Sequence, residues 1–337
     1  MRGEFRSLLS GLRGLALVCI AVLGLLAIVG SGGGGLGFPP CGPPLCGPPP
    51  PPSPSASIRP PYITAQVGTA ATYAAESSNL SGNLSYQWRR SSDGGSSFVE
   101  IPGATGKTYT LPSVNLADDG ALFVVTVSGS NGSVPSLRGH LTVSSAPGIV
   151  IADAEFQPGD WIVSPVPDPG QLAFVHTDER LTLGGNPGAY RKMVFQVPQG
   201  AGSARLFYAA RTAVYDPVLS GAIYVIDYAE DCIALTPSET TFTDSSLVIE
   251  QAGRRYLAAL SSSCVLSTWS TVAGRASLRV QDFVFVDGPA CVSGESCPDF
   301  SASAPPLHFG YRRIAFGTAG DVIAHGIDNW RVTVWRR

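Results

Sequence analysis

From Ile58 onward, apolar and polar residues alternate in short runs. "TAATYAAES", "LSYQWRR", "KTYTLPSV", "ALFVVTVSG" and "LRGHLTVSS" are followed by "RKMVFQV", "GAIYVIDYAED", "SSLVIEQAG", "ASLRVQDFVFV" and "GIDNWRVTVWRR". Successive side chains of a strand point to opposite faces, so this alternation marks strands with one buried face. Clusters of Gly, Asn, Ser and Asp separate the runs and supply turns. No run keeps a helical period beyond two turns, so the spacing predicts an all-β fold.

The amino end follows another pattern. Arg2, Arg6 and Arg13 precede an apolar run from Leu15 to Val29, the layout of a charged n-region and an h-region. Residues 1–30 therefore read as a signal peptide or an N-terminal membrane anchor. A run this short favours the cleaved signal, because a span needs roughly 20 apolar residues to cross about 30 Å of hydrocarbon. Residues 31–57 are nearly all Gly, Pro and Ser and are expected to form a disordered linker, extended at Pro49–Pro52. The chain divides further at Ala146 and Gly148, giving modules over 58–146 and 148–337.

Composition narrows the function classes. With 337 residues and 44% hydrophobic content the chain can fill two cores, while 39 Gly, 28 Pro and only 14% charged residues suit turns and strands. Net charge is −3 with no Lys/Arg cluster, so nucleic acid is not expected as a partner. Of seven cysteines, Cys19 would leave with a cleaved signal. The remaining six pair by sequence spacing as Cys232 with Cys264, Cys291 with Cys297 and Cys41 with Cys46, which places the protein outside the cytoplasm: secreted, periplasmic or on the cell surface. Zinc is not expected, since no Cys-x-x-Cys occurs and His140, His176, His308 and His325 stand singly.

"LSYQWRRSSDGGSSFVEIPGATGKTYTLPSVNLADDGALFVVTVSG" resembles the bacterial immunoglobulin-like module of surface and secreted proteins. The resemblance puts Trp88 in the sandwich core and Phe123 at the strand after the "LADDGALF" turn, where tyrosine is usual. It implies spacing, presentation or adhesion, and the paired core cysteines of antibody domains are absent. The opening "DAEFQPGDWIVSP" and closing "GIDNWRVTVWRR" of the second module resemble concanavalin A-like jelly rolls of the lectin and glucanase type, in which first and last strands lie side by side. The opening Phe-x-x-Gly-x-Trp and closing Asp-Asn are shared with smaller galactose-binding-like modules, and length favours the concanavalin-like version.

Candidate chemistry centres on "YVIDYAED". Laid on the Glu-x-Asp-x-x-Glu strand of laminarinase-type glucanases, the chain offers Val225, Asp227 and Glu230, and valine cannot serve as nucleophile. Asp227 and Glu230, an odd number of positions apart, point to opposite faces unless a bulge intervenes. The expectation is a buried strand over 223–228 whose exit turn is capped by Glu230 and Asp231, with structural carboxylates. The rival is a glycoside hydrolase using Asp227 with Glu230 or Asp282. No Gly-x-Ser-x-Gly elbow supports a serine hydrolase.

For binding, Asp153 or Glu155 on the opening strand and Asp328 on the closing strand are candidate ligands of a structural calcium, although no cofactor is required. Sugars stack on flat aromatic faces, and Trp269, Tyr190 and Tyr215 are the candidate contacts, Trp269 foremost because its surroundings are rich in Ser and Thr. The chain thus reads as an exported, non-catalytic binding or adhesion protein whose partner is carbohydrate or another surface ligand, with membrane association possible through the N-terminal segment. A purely structural surface role is the remaining alternative.

Overall fold

The computed structural model describes residues 52–165, 175–197, 203–236, 242–258, 264–272, 276–286, 291, 296–318 and 320–337. The signal segment, the linker as far as Pro51 and the Cys41–Cys46 pair lie outside the described residues. Strands dominate and regular α-helix is confined, among the described residues, to the turn Pro217–Ser220. The first sandwich comprises β1 (Ser55–Arg59), β2 (Tyr62–Gln66), β3 (Ala71–Ser78), β4 (Ser85–Ser91), β5 (Val99–Glu100), β6 (Thr108–Leu111), β7 (Leu122–Gly129), β8 (Gly132–Pro135) and β9 (Gly139–Ser144). The second comprises β10 (Ile149–Asp153), β11 (Trp161–Pro165), β12 (Val175–Gly185), β13 (Gly188–Gln196), β14 (Ser203–Tyr215), β15 (Val225–Ala234), β16 (Phe242–Gln251), β17 (Arg254–Ala258), β18 (Ser270–Val272), β19 (Phe283–Phe285), β20 (Leu307–Phe316) and β21 (Val322–Trp335).

The first unit is an immunoglobulin-like sandwich. A three-stranded sheet, β1-β3-β6, faces the sheet β2-β9-β7-β4-β5, with β8 beside β7. The chain changes sheets early: β1 pairs antiparallel with β3, and β2 runs parallel to β9. β1 begins inside the stretch that composition assigns to the linker, because Ile58 is a core residue and its neighbours gain ladder partners on β3. Trp88, Tyr73 and Phe123 are fully buried. The Trp88 indole N–H donates to the Gly106 carbonyl (2.9 Å) and the Tyr73 hydroxyl to the His140 carbonyl (2.8 Å), so the large rings sit inside without stranding a polar atom. Packing of this kind, worth roughly 1.5–3 kcal/mol per large apolar side chain, does the work a core disulfide does in antibody domains.

The second unit packs β12-β13-β21-β15-β18 against β11-β14-β20-β16-β17-β19, and β10 joins the first of these sheets at β21. First and last strands are therefore antiparallel neighbours, Ile149 opposite Val334 and Asp153 opposite Trp330, as the sequence leads one to expect. On β21 the alternation is clean: Trp330, Val332 and Val334 enter the core, while Arg331, Thr333 and Trp335 face away from it. The Cys232–Cys264 and Cys291–Cys297 disulfides are both formed.

Pro52–Arg337 clusters as one unit, and polar contacts join the sandwiches within it. Thr64 on β2 donates its hydroxyl to Asp227 Oδ1 (2.7 Å) on β15. Tyr224 donates to Asp119 Oδ2, which also meets Arg337 Nη2 at 3.1 Å. The guanidinium groups of Arg337 and Arg279 lie over the Tyr224 ring at 4.3 and 4.7 Å from its centre. The Ser144 hydroxyl, at the end of β9, donates to the Arg336 carbonyl.

Candidate functional site

Sequence reasoning ends the strand near Tyr228, but β15 runs on through Asp231 to Ala234. A bulge on β21 sets Asn329 and Trp330 against the single residue Glu230 of β15, so the ladder continues instead of breaking at the carboxylates. Each carboxylate then has its own environment. Asp227, on the outward face, accepts from Thr64 Oγ1 (2.7 Å), the Ser277 backbone N–H (2.7 Å) and Trp335 Nε1 (2.7 Å). Burial raises its pKa, and these donors together with the charge of Arg331 oppose that shift.

Glu230 points the other way, into the core. Its Oε1 accepts from Arg313 Nη1 on the facing sheet at 2.7 Å, both side chains are wholly excluded from solvent, and Oε2 accepts from the Tyr228 hydroxyl. Asp227 and Glu230 thus bind donors on opposite faces of one sheet. Asp282 closes a 3-10 turn by accepting from the Arg279 backbone N–H at 2.8 Å. Asp227 and Glu230 do not share one cleft, whereas acid and base catalysis requires two carboxyls flanking a scissile bond.

Asp231 lies directly opposite Asp328 in the β15–β21 ladder. Two like charges across a ladder repel, and amides from Asn186 in the turn between β12 and β13 and from Asn329 on β21 separate them. Asn329 Nδ2 (2.7 Å) and Asn186 Nδ2 (3.2 Å) donate to Asp231 Oδ2, while the backbone N–H groups of Asn186 and Asn329 donate to Asp328. Burial raises the Asp328 pKa, the two backbone bonds oppose this, and the charges of Asp231 and Glu155 add to the rise.

The carboxylates proposed for calcium do not form one ligand set. Asp153 is spent on the turn after β10, accepting from the Glu155 and Phe156 N–H groups (2.8 Å each) and from Trp161 Nε1 (2.6 Å). Glu155 pairs with Arg180 at 2.6 Å. Among the described residues no group of three or more His, Cys, Asp and Glu side chains is placed to hold a metal ion.

The aromatic candidates separate by burial. Tyr215 is a core residue, 2% exposed, its hydroxyl donating to the Gly221 carbonyl at 2.7 Å, so it has no face to offer a ligand. Tyr190 is also covered: its ring lies on the bare backbone of Gly326, where a Cβ would come within 2.9 Å of Cδ2. Trp269 is half-buried. Its indole N–H donates to the Gly184 carbonyl (2.8 Å), and its ring meets Tyr190 edge-on with centres 5.3 Å apart. Trp269 is therefore held in one orientation at a corner where Leu183, Val265 and Leu266 are also exposed.

A larger cavity of about 910 Å³ opens beside Cys291–Cys297, between Gln251, Tyr256 and Phe300. The Gln251 side chain is consumed there by the Asp299 and Pro305 backbone.

Several partners escape sequence reading: Thr64, Ser277 and Trp335 for Asp227, Arg313 for Glu230, Asn186 and Asn329 for the aspartate pair. One of them left a signal. In "FGYRRIAF" Arg313 falls in phase with the buried Phe309 and Tyr311, and a charge at a core position requires a buried counter-charge.

No protein-family model and no curated protein matches this chain. Among solved structures it is similar to the N-terminal four Ig domains of Dscam1 isoform 4.44, with a TM-score of 0.22 and 20% identity over 27% of this chain and 20% of that one. Dscam1 isoform 6.9 gives a TM-score of 0.21 and 23% identity over 27% and 20% of the two chains. A structure describing T cell specificity and activation by the bacterial superantigen toxic shock syndrome toxin-1 gives a TM-score of 0.23 and 17% identity over 27% of this chain and 99% of that one. The chain thus spans 20% of the length of the Dscam1 chains, and likenesses this low carry no argument about what it does.

Proposed function

We propose that this is a non-catalytic, extracytoplasmic binding protein in which a concanavalin-like jelly roll recognises carbohydrate on a surface and the immunoglobulin-like sandwich carries it as a spacer. The observation that carries the reading is Trp269, half-buried and locked by Gly184 and Tyr190, an aromatic platform whose orientation is set before a ligand arrives. The side-by-side first and last strands support the jelly-roll assignment. Two disulfides support an oxidising compartment. The carboxylates of β15 support binding over hydrolysis, since each is already engaged by structural donors.

The test is a glycan-array screen of the full chain with product analysis on every glycan retained. Binding of a neutral glycan without cleavage that Trp269→Ala abolishes, at unchanged thermal stability, is the expected result. New reducing ends, or neutral-glycan binding indifferent to Trp269→Ala, would sink the reading.

A further inference from the structure

A second feature lies away from Trp269. On β21 the outward row Arg331, Thr333, Trp335 runs along one face at strand spacing, the two ends about 13 Å apart. With Val150 and Gly148 at one side and Asp227 and Ala229 at the other, the row lines an open cleft of about 320 Å³, within the range of small-molecule sites.

Three properties distinguish this cleft from ordinary surface. Trp335 cannot swing, because its indole N–H is held by Asp227 Oδ2 at 2.7 Å. Gly148 packs tightly against the row: a Cβ there would come within 2.6 Å of Thr333 Cγ2 and 3.2 Å of Trp335 Cε2, so only glycine leaves both side chains in place. Arg331 has no ion pair or hydrogen bond among the described residues, since the oxygens of Asp227, whose charge it senses, are taken by Thr64, Ser277 and Trp335. Its cross-strand neighbours are Ala152 and Ala229, whose small side chains leave the guanidinium room.

We infer that this cleft binds a carboxylate-bearing sugar residue, its ring face on Trp335, its hydroxyls at Thr333 and its carboxylate on Arg331. A planar guanidinium matches a carboxylate through two parallel hydrogen bonds, and an apolar ring face beside it suits a pyranose better than a small anion. An acidic peptide fits less well. β21 is paired with β10 and β13 on one side and β15 on the other, so it has no free edge to which a peptide strand could add.

The inference rests on the carbohydrate reading but fails separately from it. The full chain is titrated with an oligomer of galacturonic acid and with its methyl ester, alongside Arg331→Gln, Gly148→Val and Trp269→Ala. Expected are binding of the acid form, weakening by about tenfold or more for the ester and for Arg331→Gln, loss of binding in Gly148→Val, and near-native binding in Trp269→Ala. Equal binding of acid and ester, indifference to Arg331→Gln, no binding of the oligouronate, or preference for a polyglutamate peptide would each overturn it. Neutral glycans bound through Trp269 with no response to Arg331→Gln would leave the proposed function standing and remove this cleft from it.

Discussion

Glu230 on β15 and Arg313 on β20 form an ion pair across the interior of the second sandwich, 2.7 Å between Oε1 and Nη1 with neither side chain exposed. The pair ties one sheet to the other. A buried pair adds little net stability over a well-packed apolar pair, but removing one member strands the other charge in a dry core. Glu230→Ala is expected to cost about 3–5 kcal/mol, read from urea denaturation. A loss below about 1 kcal/mol would mean that water reaches Arg313.

His325 introduces a pH dependence. Its ring is fully buried, meets Phe195 edge-on at 4.9 Å, and neither nitrogen has a hydrogen-bond partner among the described residues. Burial, aided by the positive charge of Arg313, holds its pKa well below the ordinary 6.5. The folded protein therefore resists a proton that the unfolded chain accepts. This contribution is fully present above the unfolded pKa and is lost as pH falls below it, by up to about 1.4 kcal/mol per pH unit. The carboxyls of Asp178, Asp227 and Asp328, raised chiefly by burial, act in the opposite direction and favour the fold as they take up protons. The difference between wild type and His325→Leu isolates the histidine: wild type should lose stability relative to the variant between about pH 6.5 and about pH 5. Parallel curves would refute the assignment.

Asp227 couples the two sandwiches, because its donors come from β2, from Ser277 and from Trp335. Asp227→Ala leaves those donors without an acceptor at a cost of about 1–3 kcal/mol, while Thr64→Val removes one hydroxyl and costs about 1 kcal/mol. Calorimetry should show a single transition in wild type that splits in Asp227→Ala. An unsplit transition at the wild-type temperature would show that the Tyr224–Asp119–Arg337 contacts suffice.

The disulfides should contribute unequally. Cys232–Cys264 spans 32 residues and Cys291–Cys297 spans 6. Loop-closure entropy gives about 3–4 kcal/mol for the longer loop and about 2 kcal/mol for the shorter. Paired Cys→Ala variants compared by urea midpoint check the order, and a larger loss from the shorter loop would contradict it.

Much of the architecture was legible along the chain. The period of two gave all-β order and put Asp227 and Glu230 on opposite faces, and the resemblance to an immunoglobulin-like module put Trp88 in the core. Sequence spacing picked out the Cys232–Cys264 and Cys291–Cys297 pairs. Other features were decided only in three dimensions. Alternation fixes which face a side chain takes, but not which strand lies opposite it, so Arg313, 83 residues from Glu230, and Thr64, 163 residues from Asp227, could not be assigned as partners. β15 runs past the point where its charges suggest a turn, across the bulge at Asn329–Trp330 of β21, because Asn186 and Asn329 supply the donors that make Asp231 and Asp328 tolerable side by side. Tyr215 and Trp269 were both candidate ligand contacts, and only the Ser- and Thr-rich surroundings of Trp269 set it apart. Long-range packing buried Tyr215, since burial there depends on which sheets close over the position, and left Trp269 half-exposed.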